Sequence, residues 1–155
     1  MDQDAFRTTY REVNERFCAF EKSLLTNQCT CSQSERFCIA EREGVHCHID
    51  DGQQRCLEVL DNLREQARFA LRTDNDSRRT LPHGKAIRIQ VGGMRGIYHV
   101  LNPAEPIPET VIDINAVLVK ALEKYSDFSK LPFSDIMQQI AAYDVKKRSR
   151  RHKDK

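Results

Sequence analysis

The sequence predicts an α+β fold that is predominantly helical: a cysteine-bearing three-helix N-terminal region, then a β-hairpin and two C-terminal helices. Three observations lead there. Apolar residues recur at spacings of three and four through most of the chain, the mark of amphipathic helices. One stretch alternates apolar and polar on both sides of a glycine pair, as a hairpin does. All six cysteines fall within 39 consecutive residues, and the other 116 contain none.

The first helix is marked by Phe6, Tyr10, Val13, Phe17, Phe20 and Leu24, with Asp2 or Asp4 as its cap and Thr26-Asn27 as its end. A loop carries Cys29-Thr30-Cys31. Ser32-Gln33-Ser34-Glu35 reads as a capping box opening a second, shorter helix through about Glu43, with Gly44 as its stop. Val45-His46-Cys47-His48 reads as a loop. Asp51 caps a third helix whose stripe is Cys56, Val59, Leu60, Leu63, Ala67, Ala70 and Leu71. Residues 1–72 thus form a Cys-rich helical region, and 73–80, polar and turn-rich, a linker. Residues 81–145 hold the hairpin and two helices. The hairpin runs from Ala86-Ile87-Arg88-Ile89-Gln90-Val91, through Gly92-Gly93, to Gly96-Ile97-Tyr98-His99-Val100-Leu101. Val111-Ile112-Asp113-Ile114 reads as a third strand, Ile114 to Tyr125 as a helix, and Ser134 caps a last helix bearing Ile136, Met137, Ile140 and Tyr143. A basic, disordered tail occupies 146–155.

Composition narrows the function classes. At 155 residues, 39% apolar and 31% charged, the chain suits one modest core and is too short for a barrel enzyme or a paired dinucleotide-binding fold. No apolar run reaches the roughly 18 to 20 residues of a membrane span. Met1-Asp2-Gln3-Asp4 has the wrong chemistry for a secretory leader, so a soluble, cytoplasmic chain is expected. The net charge of +2 is uneven. The last ten residues carry seven cations and one anion, which leaves the rest at −4. Nucleic-acid affinity would therefore reside in Lys146, Lys147, Arg148, Arg150 and Arg151. With no interleaved aromatics, those residues would attract phosphate without stacking on bases.

The cysteines carry the chemistry. In a cytoplasmic chain, stable disulfides are disfavoured. Cys18, Cys29, Cys31, Cys38, Cys47 and Cys56 are therefore candidate metal ligands, against the alternative of buried thiols that only pack. With about 1.5 Å of rise per residue, three helices running up, down and up set Cys18, Cys38 and Cys56 at similar height. Cys29 or Cys31 then folds in as a fourth ligand, and Cys47 stands at the far end. The chain has no Cys-x-x-Cys knuckle, which structural zinc usually uses. An iron–sulfur cluster accepts more varied spacings and profits from an apolar shell. It is the first expectation, with zinc and then Cu(I) as alternatives. His46 and His48 are weaker ligand candidates.

Glu15-Arg16-Phe17-Cys18 and Glu35-Arg36-Phe37-Cys38 repeat one pattern twenty residues apart, too few copies for a repeat architecture. Gly92-Gly93-Met94-Arg95-Gly96 lacks the lysine of a phosphate-binding loop and reads as a turn. No catalytic acid–base pair stands out, so an enzyme is not the leading reading. The expectation is a small metal- or cluster-binding protein acting in redox or electron transfer, in metal sensing, or as an accessory factor to a protein partner. The alternative is an adaptor that binds protein or nucleic acid through its C-terminal half and tail.

Overall fold

The computed structural model describes residues 3–70 and 83–143, excluding the side chains at positions 69 and 70. The linker at 73–80 and the basic tail lie outside the described residues. The class is as the sequence predicts, α+β and mostly helical, but the hairpin lies in the N-terminal half.

Helix α1 (Gln3–Val13) buries no residue, and the first helix does not run on to Leu24. The chain breaks at Asn14, extends through Cys18, and resumes as the short helix α2 (Glu21–Leu25). The break has a tertiary cause. The Cys18 N–H donates to the Val45 carbonyl at 3.0 Å and the Cys47 N–H to the Arg16 carbonyl at 2.8 Å, so this stretch lies antiparallel beside another strand. Those bonds replace the helical ones a continuous helix would make.

The strand it meets is β2 (Arg42–Cys47), which pairs with β1 (Ser34–Ile39) in register Ser34↔Cys47 to Ile39↔Arg42. The predicted second helix and the loop at Val45–His48 are therefore a hairpin. Ala40 turns it with φ 57°, a left-handed conformation that few non-glycine residues adopt. Both copies of the Glu-Arg-Phe-Cys repeat flank β2, one on each side.

Helix α3 (Asp50–Ala70) follows as predicted and places Val59, Leu60, Leu63 and Ala67 in the core. The predicted second hairpin is instead one helical run: α4 (His83–Ile87), a π-helical turn (Arg88–Gly92) and α5 (Gly93–Leu101). It is central. Every residue from Ile89 to Met94 is buried, so there is no solvent face to stamp a helical period on the sequence. Its glycines serve close packing. A Cβ on Gly92 would stand 2.6 Å from the Ile140 Cα, and one on Gly96 would stand 2.8 Å from the Ile136 Cα. Both targets lie on helix α7 (Phe133–Ala142), which therefore crosses with its backbone against theirs.

The predicted third strand contributes a single parallel bridge, Cys29↔Val111, before helix α6 (Ile114–Tyr125) begins. A 3₁₀ turn (Phe128–Lys130) leads into α7. One apolar core joins both halves, from Phe20, Leu24 and Val45 to Ile97, Leu118, Phe128 and Ile136. Fully burying a side chain such as Phe20 or Phe128 contributes about 2–3 kcal/mol. Among the described residues, no helix is long and apolar enough to cross a membrane.

Candidate metal centre: four thiols around one cavity

Four of the six cysteines line a single small cavity of about 20 Å³: Cys18, Cys31, Cys47 and Cys56, with Ala19, Phe20, Gln53 and Ile114 among its other walls. All six cysteines are free thiols. The four arrive from four different elements, and local backbone bonding holds each.

Cys18 sits on the extended segment before α2, anchored to Val45 through its own N–H, and the Phe20 N–H is hydrogen-bonded to its sulfur. Phe17, the preceding residue, is 40% exposed, so the strand alternation that turns Phe17 outward turns Cys18 inward. Cys31 lies in the loop before β1. The Ser34 hydroxyl donates to the Cys31 carbonyl at 2.8 Å, and the N–H groups of Gln33 and Asn115 are hydrogen-bonded to the Cys31 sulfur. Asn115 is in the first turn of α6, so the positive end of that helix dipole faces the thiol.

The same loop is clamped to the C-terminal half. The Thr30 N–H donates to the Val111 carbonyl at 2.9 Å, the Ile114 N–H to the Thr30 carbonyl at 3.0 Å, and the Ser32 N–H to Asp113 Oδ1 at 3.0 Å. Cys47 ends β2, and its thiol donates to the Ile49 carbonyl at 3.3 Å. Cys56 is in the second turn of α3. Beside it in sequence, Arg55 donates to Asn115 Oδ1 at 3.0 Å, while the Arg55 Nε–H is buried without a partner.

Burial governs the protonation of this set. It pushes the Cys18 thiol up to about 12, and the mutual repulsion of neighbouring thiolates at Cys31 and Cys47 adds to it. Cys56 is raised for the same two reasons, burial first and then Cys18, Cys31 and Cys47, with Arg55 opposing. Cys31 is raised by burial against the pull of its two N–H donors. Cys18, Cys31 and Cys56 are thus poor anions alone and are coupled to one another, so a bound cation would lower these three together.

The grouping corrects the expectation that Cys18, Cys38 and Cys56 converge. Cys38 is exposed on β1 opposite Glu43. Four residues of strand separate that position from the Ser34↔Cys47 pair, about 13 Å at 3.3 Å per residue. The expected far-end residue, Cys47, is the one that lines the cavity, because the hairpin folds it back under α3. Cys29 is fully buried, but in the main core, where the Ser23 hydroxyl is bonded to its sulfur. Burial also pushes Cys29 up to about 12.

His46 and His48 point away from the thiols. His46 Nδ1 lies 3.0 Å from Asn14 Oδ1, and His48 Nε2 lies 3.6 Å from Glu35. Lys146, Lys147, Arg148, Arg150 and Arg151 lie outside the described residues.

As the side chains stand, no group of three or more His, Cys, Asp or Glu residues among those described is arranged to hold a metal ion. The chemistry of the set still fits a thiolate-bound centre. It offers four sulfurs, an apolar wall of Ala19, Phe20 and Ile114, three backbone N–H groups aimed at sulfur, and an unpartnered arginine donor on the turn that carries Cys56. Sequence reasoning did not single out Gln53, Ile114, Asn115 or Arg55. Comparison with known proteins finds no match: no family model, no curated protein and no solved structure is significantly similar to this chain.

Proposed function

We propose that this protein binds a metal centre through Cys18, Cys31, Cys47 and Cys56, and that the centre is an iron–sulfur cluster. One observation carries the reading: four thiols from four separate elements line one cavity, in a chain that spends only two further cysteines elsewhere.

Ligand spacing and the apolar wall favour a cluster over a lone zinc. The chain has no Cys-x-x-Cys knuckle of the kind structural zinc usually uses. Ala19, Phe20 and Ile114 surround the thiols with apolar side chains. An iron–sulfur cluster accepts varied ligand spacings and is tuned by such a shell. Hydrogen bonds from Phe20, Gln33 and Asn115 to sulfur are of the kind that tune such centres. Zinc and Cu(I) remain the alternative occupants, and the reducing cytoplasm is the compartment in which these thiols stay available. The role that follows is electron transfer, metal sensing or service as an accessory factor to a protein partner. We assign no catalysis.

A second reading has its own support. Burial keeps the thiols protonated, as in a core that uses cysteine merely as a small apolar residue. The protein would then be an adaptor.

Anaerobic purification, followed by iron, sulfide and zinc analysis and an absorption spectrum, separates these readings. The cluster predicts stoichiometric iron and sulfide with colour near 400 nm. Colourless protein with one zinc corrects the occupant. Protein free of any transition metal leaves the adaptor.

A further inference from the structure

The hairpin has one open edge, and the bonds on either side of β2 define it. The Cys18 N–H donates to the Val45 carbonyl and the Cys47 N–H to the Arg16 carbonyl, so Val45 and Cys47 turn their backbone groups toward the 16–18 stretch. Gly44 and His46 alternate with them and turn theirs toward β1, as His48 does in donating to the Gln33 carbonyl at 2.8 Å. Within β1, Glu35, Phe37 and Ile39 therefore bond to β2, while Ser34, Arg36 and Cys38 direct their backbone groups the other way. The Ser34 N–H donates to the Cys31 carbonyl at 3.3 Å. Arg36 and Cys38 are exposed, and their backbone N–H and C=O groups have no partner among the described residues.

Such an edge is a template for another strand, and folds commonly blunt it with proline, lysine or a bulge. β1 has none of the three. A cavity of about 510 Å³ borders it, with Phe37, Cys38 and Ile39 on one wall and Thr9 and Val13 of α1 on the other. Helix α1 is tied to β2: Asn14 donates to the Val45 carbonyl at 3.0 Å, and the Arg42 guanidinium stands 4.8 Å from the centre of the Phe6 ring.

We infer that a second copy of this chain adds to this edge, β1 against β1, antiparallel about a two-fold axis at Phe37. Opposed residues share a face of the sheet, so the axis must centre on a residue. Centred on Arg36, it sets that cation against its own copy, a like-charge pair that is destabilising. Centred on Cys38, it sets Arg36 against Ala40, whose φ of 57° has already left the strand. Centred on Phe37, it sets Arg36 against Cys38 of the second copy and Cys38 against its Arg36, so the free N–H and C=O groups of both find partners.

The same register matches charge. Followed through the β1–β2 pairing, Glu35 shares a row with Ile39 and Arg42 of the second copy, and Arg36 shares one with its Cys38 and Glu43. The opposite charges in each row are two strand spacings apart, about 9.6 Å, a gap that an arginine and a glutamate side chain span together. Arg42 forms no ion pair of its own among the described residues. Pairing uses the open edge of both copies, so the assembly closes at two. This inference is independent of the metal centre and stands or falls without it.

The test is sedimentation of the full chain from micromolar to millimolar concentration in reducing buffer, which excludes a disulfide, with amide hydrogen exchange alongside. A concentration-dependent dimer is expected, in which the Arg36 and Cys38 amides exchange at least tenfold more slowly than in dilute protein. Cys38→Pro removes an outward N–H and no bond to β2, so it should stay monomeric with the Phe37 amide still protected. Glu35→Arg should weaken the dimer about tenfold, the change falling at two symmetric places, and adding Arg42→Glu should recover it. A monomer throughout overturns the assignment and leaves the edge to a strand of another chain. So does a dimer whose Arg36 and Cys38 amides exchange as fast as in the monomer, one that persists in folded Cys38→Pro, or a paired charge exchange that recovers nothing.

Discussion

Around the thiols, the backbone is held by scattered bonds between unlike elements: an extended stretch beside β2, a loop clamped to Asp113, one turn of α3. Around Gly92 and Gly96, two helices lie backbone to backbone, and their packing leaves no room for a methyl group. The first region gathers four polarizable, ionisable side chains about a void; the second eliminates voids. Close packing alone would not favour the first arrangement, since an unfilled gap forfeits contact energy. A region that keeps such a gap while its neighbour packs to contact is where a bound group would supply the missing interactions, and there stability should depend on that group rather than on side-chain fit.

The largest effect that would sharpen this contrast is expected from the thiols. Replacing Cys18, Cys31, Cys47 or Cys56 by Ser should reduce the bound metal to background and lower the thermal midpoint of the loaded protein, because binding and folding are linked in small thiolate sites. Cys38→Ser should retain full occupancy. Metal analysis and thermal unfolding of these five proteins check it. Full occupancy in Cys47→Ser would break the four-thiol grouping.

Alkaline pH should come next. In the metal-free protein, burial holds the folded-state values of Cys18, Cys31 and Cys56 above the ordinary 9.0. The folded state therefore keeps these protons more tightly than the unfolded chain does. The stability tied to them is fully present below pH 9 and is lost as pH rises toward the folded values. In the loaded protein the thiols have already lost their protons to the centre, so that loss should be absent. Denaturation midpoints of both forms, at neutral pH and above pH 9, measure the difference.

At the helical end the effects are smaller and independent of metal. Gly96→Ala forces a Cβ to 2.8 Å from the Ile136 Cα, a backbone atom that cannot swing away, and should cost about 2 kcal/mol by urea denaturation. Gly84→Ala, where a Cβ meets nothing within 4 Å, should stabilise by about 0.5–1 kcal/mol. Equal responses at the two glycines would show that α7 does not cross where the structure puts it.

Much of the fold was legible in the sequence. Helices α3, α6 and α7 each have one wet face, and their apolar spacing records it. Three stretches were misread, each for a tertiary reason. Ile87, Ile89 and Val91 alternate like a strand, but they belong to a helix buried on nearly every side, where solvent imposes no period. Ser32-Gln33-Ser34-Glu35 has the residues of a helix start, yet β1 finds a better partner in β2. Phe17-Cys18 continues the apolar spacing of α1, although its backbone bonds to Val45 and Arg42–Cys47 lies beside it. A local signal cannot register a partner some thirty residues away.

The candidate site divides along the same line. Crowding of six cysteines into 39 residues was enough to single out the thiols, because residue type alone sets soft-ligand chemistry. Which four meet was a matter of strand register. Shifting from a helix to a hairpin exchanges Cys38 for Cys47, since in a strand of fixed pairing position and face are set by the partner strand. Sequence determined the chemistry available; tertiary structure decided which groups face one another, because convergence depends on contacts between distant segments that no local pattern encodes.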